Sequence, residues 1–198
     1  MIHATDFDLT AKAISELTSP DALAAWLAKL GYDTAGRTLL TPEAVGLSGE
    51  SAAAIKRIEV LSEDPERFLR VIFAQPRSLT AKVRNDLSRV LGRSNTDHLL
   101  ILASDFDTLE FVFLDKRKRE QKGPAGGERI QVVPKTIDVS RRNPTRLDLR
   151  TLRRFTWTCP DALEQFDKLR SVFDAAAYTG EYFQNRGLFS DYFLRDRL

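Results

Sequence analysis

The stretch HLLILASDFDTLEFVFLD, residues 98–115, constrains the fold more than any other part of the chain. Two apolar runs flank the short polar connection Ser104-Asp105-Phe106-Asp107, a pattern that predicts two strands joined tightly. Leu109, Phe111 and Phe113 alternate with Glu110, Val112 and Leu114, so one face of the second strand is strongly apolar and needs a covering layer. Upstream, Ile55 to Gln75 predicts another hairpin around the polar turn SEDPE. Its second run, with Phe68, Val71, Ile72 and Phe73, predicts a strand buried on both faces. Between the two hairpins the pattern switches to helical spacing. Leu79, Val83, Leu87, Val90 and Leu91 fall on one side, with Ser78 as cap and Gly92 as terminator.

The flanks read as helices. Phe7, Ala11, Ile14 and Leu17 share one helical face behind Thr5 or Asp6 as N-cap. A second helix has Ser19 as cap, Pro20 at its first position, Asp21 in its first turn and Gly31 at its end, with Leu23, Trp26, Leu27 and Leu30 as an apolar stripe. After Asp115, KRKREQKGPAGGER predicts a mobile hairpin loop, and IQVVPKTIDVS a strand whose Pro134 places it at an edge or a bulge. From Asn143 the pattern is helical, with Leu163, Phe166, Leu169, Val172 and Phe173 close to helical spacing and a last helix broken or bent near Gly187. These elements predict an α/β fold: a mixed central sheet flanked by helices over 1–142, then a helical connector over 143–198.

Composition excludes several kinds of chemistry. The histidines are His3 and His98 and the single cysteine is Cys159, too little material for a zinc site or a serine-type triad. His98 directly precedes an apolar run and reads as a strand-edge residue rather than a base. The N-terminus has no signal-peptide pattern and no run reaches the length of a membrane span, which predicts a cytoplasmic protein. No glycine-rich phosphate loop follows a strand, and GPAGGE lacks the Lys-Ser/Thr of a P-loop. Asp105 and Asp107 pair two carboxylates, but this is also ordinary turn chemistry.

The order of helix, strands, helix and strand pair resembles the restriction-endonuclease-like fold, and LLILASDFDTLEFVFLD is similar to nuclease-related N-terminal domains of large restriction enzymes. Such nucleases carry an acid on one strand and Glu-x-Lys on the next, because Mg²⁺ takes hard oxygen ligands and the lysine stabilises developing charge. Here the second hairpin strand ends VIFAQP, and Gln75 replaces neither group. Glu63, Asp64 and Glu66 lie in the preceding turn without a lysine to complete them, and the literal Glu-x-Lys, Glu120 to Lys122, falls in the basic loop. The expectation is a degenerate nuclease-like site. Glu63, Asp64 and Asp105 are the nuclease candidates, with Mg²⁺ as cofactor only if the site is active.

The chain ends on YFQNRGLFSDYFLRDRL, which resembles a segment of single-chain restriction–modification proteins that carry an adenine-specific DNA methyltransferase. The most specific part of the likeness runs from Asn185 to Leu198, and the similarity covers about the second half of the chain. In that family the segment links an N-terminal domain to the methyltransferase region, which implies a longer parent protein using S-adenosylmethionine in its downstream region. The Asn/Asp-Pro-Pro-Tyr/Phe signature of the methyltransferase does not occur in these residues, which implies no cofactor for this part.

A net charge of +2 gives no overall field for polyanions, so local clusters must supply any affinity for them. SRRNPTRLDLRTLRRF holds Arg141, Arg142, Arg146, Arg150, Arg153 and Arg154 against Asp148 alone. Arg146, Arg150 and Arg153/Arg154 share one face of a helix starting at Thr145. Lys82, Arg89 and Arg93 form a second stripe, and Lys116 to Arg119 a third cluster. Guanidinium forks suit phosphate oxygens, and no base-reading motif is present, so contact with DNA is expected at its backbone. The leading expectation is a DNA-engaging or positioning domain of a restriction–modification or phage-defence protein, without its own catalysis. The alternatives are an active metal-dependent DNA endonuclease, and an interaction scaffold that does not touch nucleic acid.

Overall fold

In a computed structural model, the chain is described over residues 10–64, 69–120, 128–159 and 161–195, with backbone alone for 117–120, 128–130 and 179–195. It is an α/β structure built on a six-stranded mixed sheet, with strands in sequence order across it. The strands are β1 (Thr38–Leu40), β2 (Ile55–Glu63), β3 (Leu69–Pro76), β4 (Asp97–Leu102), β5 (Thr108–Glu120) and β6 (Glu128–Ser140). All neighbours are antiparallel except β3 and β4, which run parallel. A parallel pair needs a crossover connection, and helix α4 (Ala81–Leu91) supplies it.

Strand alternation sorts the core into two layers. Val71 and Phe73 of β3, Leu99 and Ile101 of β4, and Leu109, Phe111 and Phe113 of β5 face one side. There they meet Ile14 of α1 (Ala11–Ser15), Leu23, Trp26 and Leu27 of α2 (Pro20–Lys29), Leu152 of α5 (Arg146–Arg153), and Phe166 and Phe173 of α6 (Ala162–Arg195). Ile72, Ala74, Leu100, Leu102, Val112 and Leu114 face the other side, under α4 and the short α3 (Gly49–Ala53). From Leu109 to Asp115 strand β5 is therefore buried on both faces, because helices cover the sheet on both sides.

Several expectations change in detail. Thr10 caps α1 by accepting a hydrogen bond from the Ala13 amide at 3.2 Å, while Thr5, Asp6 and Phe7 lie outside the described residues, as does Phe68. Thr80, not Ser78, caps α4, accepting from the Val83 amide at 3.3 Å. The short β1 and α3 carry too few residues for a periodic signal. The basic run Lys116 to Arg119 belongs to β5, which pairs with β6 as far as Glu120 and Glu128, so the hairpin is longer than its charge suggested. Pro134 does lie on the outer strand, and α6 continues through Gly187 without a break.

Two glycines close the packing. Gly31 adopts φ 99°, and the amides of Gly31 and Tyr32 reach back to the carbonyls of Ala28 and Leu27, a Schellman ending to α2. Gly92 ends α4 where a Cβ would lie 2.2 Å from Val132 Cγ2 and 2.8 Å from the Ser88 carbonyl. Gly92→Ala is expected to destabilise the fold by about 1–3 kcal/mol through overpacking. Val132→Ala in the same chain should recover part of that loss in urea denaturation.

His98 is not at an edge. It is 1% exposed near the start of the interior strand β4, and its Nδ1 has no hydrogen-bond partner among the described residues. Burial, with Lys116 and Arg70 beside it, holds its pKa down to about 3 from 6.5. At pH 7 the ring is neutral in both folded and unfolded chains. Below 6.5 the unfolded chain takes up a proton that the folded chain refuses, so stability falls as pH falls towards about 3. The slope from this one group is about 1.4 kcal/mol per pH unit. Between pH 7 and about pH 4.5, His98→Leu should narrow the change in unfolding free energy by about 2–3 kcal/mol.

Candidate nucleic-acid interface

The expected nuclease carboxylates do not converge. Glu63 pairs in register with Arg70, and Arg70 with His98, so Glu63 and Asp64 lie at the end of the sheet where β3 and β4 begin. Asp105 follows the other end of β4, with the run of six paired residues from Leu69 to Ala74 between them. At about 3.3 Å per residue that separation exceeds any shared metal coordination sphere. Glu63 forms an ion pair with Arg70 at 2.6 Å, and Asp64 accepts from the Leu69 amide at 3.3 Å. Asp105 accepts from the Asp107 amide at 2.9 Å, the turn geometry its sequence suggested. Glu66 and Lys122 lie outside the described residues. Among the described residues no three His, Cys, Asp or Glu side chains gather as a metal-binding group.

The acid that does sit on the strand beside Gln75 is Glu59, which the sequence pattern does not single out. Arg57 and Gln75 are cross-strand partners, as are Glu59 and Phe73, so these four side chains share the α2 face. Glu59 is 4% exposed and its carboxylate is fully engaged. Arg57 donates to one oxygen at 2.6 and 3.0 Å, and Arg37 donates to the other while also reaching Asp21 of α2 at 2.7 Å. The Gln75 amide donates to the Ser104 carbonyl at 3.2 Å. Two guanidinium groups thus stand where a metal-binding acid would need open lone pairs.

Several of the cationic candidates are held by partners. Arg141 donates to the Phe106 carbonyl at 2.6 Å and the Ser15 carbonyl at 2.7 Å, tying the end of β6 to the β4–β5 turn and to α1. Arg142 pairs with Asp107 at 2.8 Å, Lys82 with Glu50 at 3.0 Å, and Arg89 with Asp86 at 3.2 Å. Lys116 donates to the Ser94 and Thr96 carbonyls, both at 2.8 Å. Arg93 is exposed and forms no ion pair among the described residues.

Helix α5 carries the rest. A reciprocal capping box starts it: Thr145 Oγ1 accepts from the Asp148 amide at 3.1 Å, and the Asp148 carboxylate from the Thr145 amide at 2.7 Å. Its one acid is thereby held at the helix start. Leu152 and the following Phe155 are buried against β5 and α6, which turns the opposite face outward. Arg146, Arg150 and Arg154, each four residues from the next, are exposed on that face and form no ion pair among the described residues. Arg153 is exposed beside them.

No family model, curated protein or solved structure matches this chain. No helix among the described residues is long and apolar enough to cross a membrane.

If Glu59 is a structural anion rather than a metal ligand, Glu59→Gln should lower stability by roughly 1–3 kcal/mol, since it strips charge from a bond to two guanidinium groups. The melting temperature of the unaltered protein should not respond to millimolar Mg²⁺. A Mg²⁺-dependent rise that Glu59→Gln abolishes would show metal binding there.

Proposed function

We propose that this chain is the DNA-engaging domain of a restriction–modification or related phage-defence protein. It grips the sugar–phosphate backbone through the arginine row of α5 and performs no strand cleavage itself. The observation that carries this reading is the contrast between Arg146, Arg150 and Arg154, exposed without ion-pair partners among the described residues, and the many other cations held by carboxylates. An outward row of guanidinium groups on one short helix offers phosphate-directed forks at no cost in broken ion pairs. It has no neighbouring pattern that would read base edges, so the contact is one of position and charge.

Two further features support the reading. The order α2, β2, β3, α4 and β4 supports a restriction-endonuclease-like reading of the fold, and the double arginine clamp on Glu59 supports a site without catalysis. The likeness of the C-terminal stretch to single-chain restriction–modification proteins supports a partnership with an adenine-specific methyltransferase region. S-adenosylmethionine would serve that region.

The test is duplex binding measured against salt. Changing Arg146, Arg150 and Arg154 together to Ala should weaken binding alike on unrelated sequences. It should also reduce the slope of log K against log salt by about 0.9 for each phosphate that the variant no longer neutralises. Lys at the same positions should restore part of the affinity, because the charge survives and the planar fork does not. A triple-Ala variant that binds as well as its parent, or a parent that ignores duplex DNA at low salt, would instead favour a protein-interaction scaffold.

A further inference from the structure

The strap joining α5 to α6 holds a lysine in an unusual setting. Lys168, in the second turn of α6, donates to the Thr156 carbonyl, to Thr156 Oγ1 at 2.9 Å and to Thr158 Oγ1 at 2.9 Å. An ammonium has three hydrogens and no acceptor site, so these three bonds use it completely. Among the described residues no carboxylate lies within ion-pair distance of it. Among the described residues its charge is met by neutral oxygens.

The hydroxyls have the complementary problem. Each accepts from Lys168, so each must send its own proton elsewhere, and neither has an acceptor among the described residues. Thr158 is exposed and Thr156 half-exposed, so both protons can point outward beside an uncompensated cation. Burial pulls the Lys168 ammonium below its ordinary value, Cys159 opposing the shift and Arg154 adding to it. A bound oxyanion would offset both the burial and the neighbouring guanidinium.

The strap is stiff enough to preorganise such a site. Gln165, fully buried, accepts from the amides of Thr158 at 3.2 Å and Cys159 at 3.5 Å, and donates to the Thr156 carbonyl at 3.0 Å. The Trp157 amide donates to the Leu30 carbonyl at 2.7 Å, and the Trp157 ring meets Tyr32 edge-on at 5.2 Å. Residues 156–159 are thus pinned from α2 and from α6, and the threonine hydroxyls cannot drift apart.

We infer that Thr156, Thr158 and Lys168 form a receptor for one phosphodiester group of a nucleic-acid backbone. Two hydroxyl donors beside a buried cation match the several acceptor oxygens and single negative charge of that group. Arg154, the exposed last member of the α5 row, lies two residues before Thr156, so the receptor continues the same arginine surface. The assignment of its ligand to nucleic acid rests on the proposed function, and the presence of a phosphate site does not.

The experiment follows the backbone amides of Thr156, Thr158 and Cys159 by NMR in the whole chain. One arm titrates inorganic phosphate against chloride at constant ionic strength, and the other a short DNA duplex. Saturable shifts of these amides are expected in both arms. Thr158→Val keeps the shape and removes one donor, so it should weaken phosphate binding at least threefold while the melting temperature stays within a few degrees. Lys168→Met should abolish binding, and Thr158→Val keeps the test decisive if that variant does not fold. Absence of a saturable phosphate shift, or equal binding by Thr158→Val, overturns the receptor. Duplex binding that leaves these amides silent overturns it while the α5 reading stands. Phosphate shifts without duplex binding preserve the receptor, and overturn its nucleic-acid ligand together with the proposed function.

Discussion

Phe113 of β5 stacks on Phe166 with ring centroids 4.6 Å apart and meets Phe173 at 5.4 Å, while Phe155 links Phe173 to Phe111. Trp26 of α2 closes the chain of rings on Phe111 at 6.0 Å. Through these contacts one strand collects α2, the end of α5 and the first half of α6 on a single apolar surface. Aromatic pairs of this kind add about 0.5–1.5 kcal/mol each beyond the area they bury. The same rings orient α5, because Phe155 and Leu152 can enter the core only if the arginine face turns to solvent. Without that docking the arginines would be a charge cluster with no direction.

Charge is distributed by the same constraint. The sheet buries Glu59, Glu110 and Asp115 at the margins of its layers, and each is met by a cation from a neighbouring element. Burial raises the pKa of Glu110, which Arg84 of α4 lowers and Asp138 raises. Leaving such a carboxylate without a partner would cost several kcal/mol, so arginines near the sheet are committed to the fold. Arg146 and Arg150 of α5 form no ion pair among the described residues, since the single acid of that helix serves its cap. A net charge of +2 therefore conceals a local excess on one face. The Lys168 strap adds to that excess with hydroxyl donors instead of acids.

Much of the fold was legible in the chain. Continuous apolar runs marked β3, β4 and β5, helical spacing marked α2, α4 and the start of α6, and Pro134 marked an outer strand. The length of the β5–β6 hairpin was not, because a run of lysine and arginine carries no alternation even where its backbone is fully paired. The candidate site was legible only by residue type. Arg141 and Arg146 look alike in the sequence, yet one spends its guanidinium on two backbone carbonyls and the other meets solvent. Glu59 gave no signal, since half of its clamp comes from Arg37, 22 positions away.

The amino-acid sequence by itself determined which segments become strands and helices, because periodicity and capping are local properties that act within a few residues. It also determined that zinc and thiol chemistry have little material to work with, with two histidines and one cysteine. The tertiary structure alone decided which charges remain available. Availability depends on whether a carboxylate or carbonyl from a distant element arrives within about 3 Å, and a linear pattern does not encode that distance. It likewise brought Lys168 against Thr156 and Thr158, since the strap must fold back on α6 before one ammonium can reach both hydroxyls.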